Sequence, residues 1–278
     1  MSQVDLHIHS NASDGRFSPD AIVRMAAGLD LKYISLTDHD SMAGIPAALK
    51  AARDFPKLTV IPGVEISTEV PEGEVHMLGY FIDFTSAGLQ QSLEGFRNSR
   101  LGRAQGMIAK LANLGVNIDW ARVKELAGDA TVGRPHIARA MLEKGYINTF
   151  EEAFDKYIGH GGPAYVERDK MTPVEAVELI LRSRGLPVLA HPFTVSEPEA
   201  LVKKLKPAGL VGLEAYYKDA SAQDVKNMVR LAKEQHLIAT GGSDYHGLGE
   251  NNEVRLGGVD VPLQAAEKLI ALARQTTN

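Results

Sequence analysis

The sequence predicts an α/β fold, a (β/α) barrel interrupted by a helical subdomain, on three observations. Short β-rich segments recur seven times along the 278 residues, amphipathic helical stretches separate several of them, and the regular spacing breaks once into a run that is helical throughout. Strand–helix alternation argues for parallel strands joined by helical crossovers, and seven such units come close to the eight of a complete barrel. The first strand, Val4–His9, alternates apolar and polar residues and so presents Asp5, His7 and His9 on one side. The remaining strands are read at Tyr33–Thr37, Leu58–Ile66, Val75–Ile82, Pro187–Ala190, Leu210–Ala215 and Leu237–Thr240, with helical patterns at Pro19–Ala27, Val174–Arg184 and Ala222–Gln235. The helical run holds Leu89–Leu114, Trp120–Ala127, Pro135–Lys144 and Phe150–Tyr157. The barrel is therefore expected over residues 1–85 and 173–278, with an insertion subdomain over 86–172 covering the active site. Residues 86–172 hold twelve Lys and Arg against ten Asp and Glu, so the rest of the chain carries a net charge of −7. Cations for an anionic ligand are expected on the insert.

Composition narrows the chemistry. A chain of this length with 44% hydrophobic and 23% charged residues buries a sizeable core. It holds no run of about 18 apolar residues of the kind that spans a bilayer. A net charge of −5 lacks the basic balance needed to hold duplex DNA by its backbone. There is no cysteine, which excludes disulfides, thiolate nucleophiles, zinc fingers and iron–sulfur clusters; a metal would have to sit on His, Asp or Glu. The sequence opens on a strand rather than a basic and apolar leader, and a cytoplasmic location is expected. No P-loop, no GxGxxG opening a helix and no fixed-period repeat occurs.

The histidines carry the strongest signal because of where they fall. His7 and His9 share one face of strand one; strand two runs into Asp38-His39-Asp40; strand three holds Glu65, strand four His76; strand five runs into His191; strand seven leads to Asp244-Tyr245-His246. Strand termini of a barrel converge on the face where its active sites are built, and imidazole with carboxylate suits zinc, manganese or iron. Adding Asp14, nine side chains are candidate ligands: His7, His9, Asp14, His39, Glu65, His76, His191, Asp244 and His246. With Glu65 bridging, they supply enough bonds for two or three ions, an arrangement suited to hydrolysis of a phosphoryl or carbonyl group without a protein nucleophile. His160 and His236 lie outside the pattern and read as ordinary hydrogen-bonded histidines.

At Asp5-Leu6-His7-Ile8-His9-Ser10 with Asp14-Gly15, Leu36-Thr37-Asp38-His39-Asp40, Pro62-Gly63-Val64-Glu65, His76, Ala190-His191-Pro192 and Gly242-Ser243-Asp244-Tyr245-His246, the chain resembles the PHP (polymerase and histidinol phosphatase) family of metal-dependent phosphoesterases. The resemblance implies a distorted (β/α)7 barrel holding two or three divalent ions, manganese with zinc or iron as alternatives. It implies His7, His9, Glu65 and Asp244 on one ion, Glu65, His76 and His191 on a second, and Asp14, His39 and His246 on a third, where the family often has His in place of Asp14. His191, Asp244 and Glu65 are the residues expected to carry catalysis. The segments Gly133-Arg134-Pro135-His136, Ala153-Phe154-Asp155-Lys156-Tyr157 and Gly162-Pro163-Ala164-Tyr165 are similar to the branch that acts on 3',5'-nucleotide bisphosphates, some members of which also trim short 5'-phosphorylated RNA. That implies a phosphatase releasing the 3'-phosphate, with a small nucleotide or short RNA as partner and Arg134, His136, Lys156 and Arg16 as phosphate-binding residues. A 5'-to-3' exoribonuclease, a histidinol-phosphate-type phosphomonoesterase and a non-catalytic metal-binding module are the alternatives.

Overall fold

The computed structural model describes residues 2–70, 73–128, 132–167, 171–249 and 254–276. The chain divides into two compact units, Met1–Gln91 with Met171–Asn278, and Ser92–Lys170. The first unit is a seven-stranded sheet in sequential order: β1 (Val4–Ile8), β2 (Tyr33–Leu36), β3 (Thr59–Val70), β4 (Gly73–Tyr80), β5 (Leu186–Leu189), β6 (Gly212–Tyr217) and β7 (Ile238–Gly242). A parallel bridge between Ile8 and Tyr245, and the bond from the His9 N–H to the Tyr245 carbonyl (2.9 Å), bring its two edges together. The seven strands thus make the distorted barrel that the sequence predicts.

One strand departs from the parallel pattern. β4 runs antiparallel to both β3 and β5, while the other pairs are parallel. The cause is length: only two residues separate Val70 from Gly73, and a parallel return needs a crossover of a dozen or more. Reversal has a consequence for the site. The first half of β4 lies beside the late residues of β3, with His76 opposite Ser67, so His76 reaches the face where the parallel strands end.

Helices α1 (Pro19–Gly28) and α2 (Ile45–Ala52) follow β1 and β2, and α7 (Pro173–Arg182), α8 (Pro198–Leu205), α9 (Ala222–Glu234) and α10 (Leu263–Thr276) surround the second half of the sheet. Thr172 caps α7 and Ser221 caps α9, each in a reciprocal pair with the acid three residues on. One apolar cluster joins β1, β4 and β5 to α10 through Leu6, Leu78, Tyr80, Val188 and Leu269; a second joins β1 and β2 to α1 through Ile8, Ile22, Val23, Ile34 and Leu36. In the second unit, the greater part of α3 (Ala87–Asn113), with α4 (Trp120–Ala127), α5 (Arg134–Glu143), α6 (Phe150–Ala153) and a π-helical turn over Phe154–Ile158, surrounds its own core of Met107, Leu111, Val123, Ile137, Met141 and Ile158.

Asp5 secures the seam where β7 meets β1. Buried at 1% exposure, it accepts the Ser243 N–H (2.9 Å), the Ser243 hydroxyl (2.6 Å) and the Gly257 N–H (2.8 Å). Asp5→Ala strands those donors, which should cost about 3 kcal/mol and lower Tm by roughly 6–12 °C. Thermal unfolding measures this; an unchanged Tm would mean that water replaces the carboxylate.

Candidate metal centre

The nine side chains singled out in the sequence all lie in the barrel unit: Glu65 and His76 lie within β3 and β4, His7 near the end of β1, and the others in the segments that follow strands. Close backbone approach makes this possible at two glycines. A Cβ on Gly242 would sit 2.4 Å from the His7 nitrogen, so glycine lets β7 press against β1 and deliver Asp244 to His7. A Cβ on Gly15 would sit 2.4 Å from the His9 carbonyl oxygen, so glycine lets the loop carrying Asp14 fold back onto His9. His191 and Asp244 themselves sit at positive φ (27° and 48°), a conformation that costs non-glycine residues about 1–3 kcal/mol and recurs where a site must be held in a set geometry.

Glu65 is the centre of the arrangement. Its Oε1 lies 2.8 Å from His76 Nδ1 and 3.3 Å from His191 Nε2, and its Oε2 lies 3.4 Å from His7 Nε2, 3.2 Å from His9 Nε2 and 3.1 Å from His39 Nδ1. Asp244 Oδ1 faces the same histidines of β1, at 3.4 Å from His7 Nε2 and 3.0 Å from His9 Nε2. Asp14 gathers the rest, at 3.4 Å from His246 Nε2, 3.8 Å from His39 Nε2 and 3.5 Å from His9 Nδ1. Three sets of ligand atoms each fall within 4.8 Å of one another: His7, His9 and Glu65; His39, Glu65 and His76; and His9, Asp14, His39 and His246. These sets overlap the ligand sets that the resemblance implies, with His7, His9 and Glu65 together and Asp14, His39 and His246 together, and His9 and His39 each present one ring nitrogen to Glu65 and the other to Asp14.

The donor set fits divalent cations. Among the described residues, His7 Nε2, His9 Nε2 and Glu65 Oε2 are buried without a well-aligned hydrogen bond, although the two nitrogens lie 3.4 and 3.2 Å from that oxygen. Buried polar atoms left so cost about 1–3 kcal/mol each; a shared cation would satisfy all three through their lone pairs. The imidazoles and carboxylates of the cluster also shift one another's titration. Burial opposes charge on His9, yet Asp244, Glu65 and Asp14 raise its imidazole to about 10. Burial likewise raises Glu65, and the imidazoles of His39, His76 and His7 more than reverse this, holding it well below the usual carboxylate range. His246 and His39 do the same for Asp14, and His7 and His246 for Asp244, each against the effect of burial.

Several residues outside the nine hold them in place. Asp38 accepts the Ser10 N–H, the Ser10 hydroxyl and the Ser13 hydroxyl, all at 2.7 Å, and so anchors the loop that carries Asp14. The Tyr217 hydroxyl (2.7 Å) and Lys218 Nζ (3.0 Å) both donate to Asp244 Oδ2, leaving Oδ1 to the histidines. Glu214 lies 3.0 Å from His7 Nδ1 and accepts the His191 N–H at 2.9 Å. Sequence reasoning passed over these three on β6 and just after it. The available signal was a lone acid, Glu214, between Leu213 and Ala215 in an otherwise apolar strand.

Of the expected phosphate-binding residues, Arg16 belongs to the barrel unit, exposed beside the cluster, with its N–H bonded to the His246 carbonyl at 2.7 Å. Arg134 and His136 open α5 in the second unit: the Arg134 guanidinium lies over the Phe154 ring (5.7 Å), and His136 Nδ1 accepts the Gly133 N–H at 3.0 Å. Lys156, in the π-helical turn, pairs with Glu152 and is well exposed. No helix among the described residues is long and apolar enough to cross a membrane.

Known proteins resemble this chain along most of its length. The family model for the PHP domain matches residues 5–182. A 3',5'-nucleoside bisphosphate phosphatase from Chromobacterium violaceum is 32% identical over 94% of this chain and 91% of its own. The 5'-3' exoribonuclease Rnm of Salmonella typhimurium is 32% identical over 87% of this chain and 84% of its own. Among solved structures, a chain assigned as a metal-dependent phosphoesterase from Bifidobacterium adolescentis superposes with a TM-score of 0.84 at 26% identity, covering 96% of this chain and 95% of that one.

Proposed function

Because the chain belongs to the PHP domain family, a family of phosphoesterases, we propose that it is a metal-dependent phosphatase that removes the 3'-phosphate of 3',5'-bisphosphorylated nucleotides, leaving the 5'-monophosphate and inorganic phosphate. The observation that carries the reading is the convergence of five imidazoles on the buried carboxylate of Glu65, flanked by Asp14 and Asp244. The nine side chains would hold two or three divalent ions, manganese first and zinc or iron as alternatives. Bound there, such ions supply Lewis-acid polarisation of the phosphoryl group and activation of water.

The chain's own residues do the rest. Glu65 spans the cluster with one oxygen on each side, and Asp244, fixed by Tyr217 and Lys218, keeps a single oxygen turned to His7 and His9. The proton for the leaving 3'-oxygen comes from His191 or from water. For the phosphate that is not cleaved we assign Arg134, His136 and Lys156 in the insert, with Arg16 as a further cation, because a guanidinium fork and an ammonium recognise a phosphate dianion. The same reading carries the cytoplasmic location.

Phosphate release from 3',5'-, 2',5'- and 5'-only nucleotides with manganese present tests the proposal. The 3',5'-bisphosphate should turn over at least about a hundredfold faster than the 5'-monophosphate, and Arg134→Ala should lower kcat/KM for it by on the order of tenfold to a hundredfold, the scale of one charged hydrogen-bonding group. Equal turnover of a simple phosphomonoester such as histidinol phosphate would refute it. Similarity to the Salmonella exoribonuclease favours one second reading, removal of nucleotides from short 5'-phosphorylated RNA, and faster turnover of such an oligonucleotide than of the bisphosphate would select it.

A further inference from the structure

We propose that Glu214 is a positioning residue that sets which ring nitrogen of His7 carries hydrogen, and thereby leaves the other free for a cation. The inference rests on the metal reading above and concerns a strand to which that reading assigns no ligand. Glu214 sits within β6 at 0% exposure. Its two oxygens are divided between two candidate ligand residues from different strands: Oε1 lies 3.0 Å from His7 Nδ1, and Oε2 accepts the backbone N–H of His191 at 2.9 Å. A carboxylate offers acceptors and no donors, so Nδ1 of His7 must carry the hydrogen. In the neutral ring that a cation requires, Nε2, which faces Glu65 Oε2 and Asp244 Oδ1 at 3.4 Å each, then turns a lone pair into the cluster. The second oxygen also pins the His191 backbone, which sits at a φ of 27°.

Glutamine is a sharp probe because it keeps the volume and cannot keep the pattern. An amide has an acceptor on one side only, whereas Glu214 faces two donors. The His191 N–H cannot move its hydrogen; the imidazole can. The amide oxygen of Glu214→Gln therefore stays with His191, its NH2 meets His7 Nδ1, and the His7 hydrogen shifts to Nε2, where it points into the cluster and blocks the lone pair.

The test uses the zinc-loaded full-length protein with 15N-labelled histidine, because zinc is diamagnetic. In the wild type, His7 should show hydrogen on Nδ1 and a zinc-shifted Nε2. In Glu214→Gln, zinc affinity measured against a competing chelator should fall by about 10–100-fold, with the His7 hydrogen on Nε2 and circular dichroism unchanged. A variant that binds zinc within twofold of the wild type would overturn the inference while leaving the metal reading intact. So would hydrogen on Nε2 of His7 in the wild type, a measurement that stands even if the variant fails to fold. Wild-type protein that binds no zinc would overturn both.

Discussion

Glu65→Gln should abolish phosphate release to within about a thousandth of the wild-type rate and strip the protein of most of its bound metal. Glu65 is within 3.4 Å of a ring nitrogen on each of His7, His9, His39, His76 and His191, so it touches five of the other eight candidate ligands. The substitution keeps the shape and removes the charge that offsets the cations. It also places an NH2 beside ring nitrogens that must offer lone pairs when a cation is bound. Loss of one group that stabilises charge in a water-poor site acts on the order of a hundred- to a thousandfold, and here the same group would hold two ions. Turnover with the bisphosphate and metal per chain by elemental analysis measure the two effects together. Metal content equal to that of the wild type, whatever the activity, would mean that Glu65 is not a ligand.

Chelation should remove activity reversibly and make the protein take up protons. In the ion-free site the His9 imidazole is raised to about 10 and His7 is raised well above the ordinary histidine value, both against the effect of burial; these rings are protonated at pH 7. A cation needs them neutral, so loading at pH 7 releases about one proton or more per ion, and apparent affinity rises with pH. Titration calorimetry in two buffers of different ionisation enthalpy reads the proton count, and no buffer dependence would refute the assignment of His7 and His9. Stability of the ion-free protein follows from the same groups. The His9 contribution is fully present below its unfolded value of 6.5 and is lost as pH rises through about 10. The contributions of Asp14, Glu65 and Asp244, whose carboxyls are depressed, are present above the ordinary carboxylate range and are lost as pH falls below it. Ion-free protein should therefore be most stable between about 4.5 and 6.5, and added metal should extend that stability to higher pH.

Much of the site could be read from the chain because ligand residues have few other reasons to occupy strand ends. His7 and His9 alternate along one strand pattern, a spacing that already places the pair on one side. The reversed direction of β4 was missed because alternation alone suggests parallel strands, although the eight residues between the strands read at Leu58–Ile66 and Val75–Ile82 are already too few for a crossover. Nor were α2, α8 and α10 singled out. Glu214, Tyr217 and Lys218 escaped notice for a different reason: they support ligands that lie 23 to 207 residues away in sequence, and nothing local to β6 tells a buried structural acid from one that orients an imidazole.

The sequence by itself determined which atoms are available: nitrogen and carboxylate oxygen without sulfur, nine ligand-type side chains on the strands or in the segments after them, and a helical insert with a net positive charge against a negative barrel. Chemical identity is a property of residues one at a time, so it survives without coordinates. Only the tertiary structure decided how those atoms are shared, with His9 and His39 each turned to both Glu65 and Asp14 and Glu214 holding two ligands at once. Sharing depends on distances of about 3 Å between strands far apart in sequence, and those distances exist only after the sheet has closed on itself.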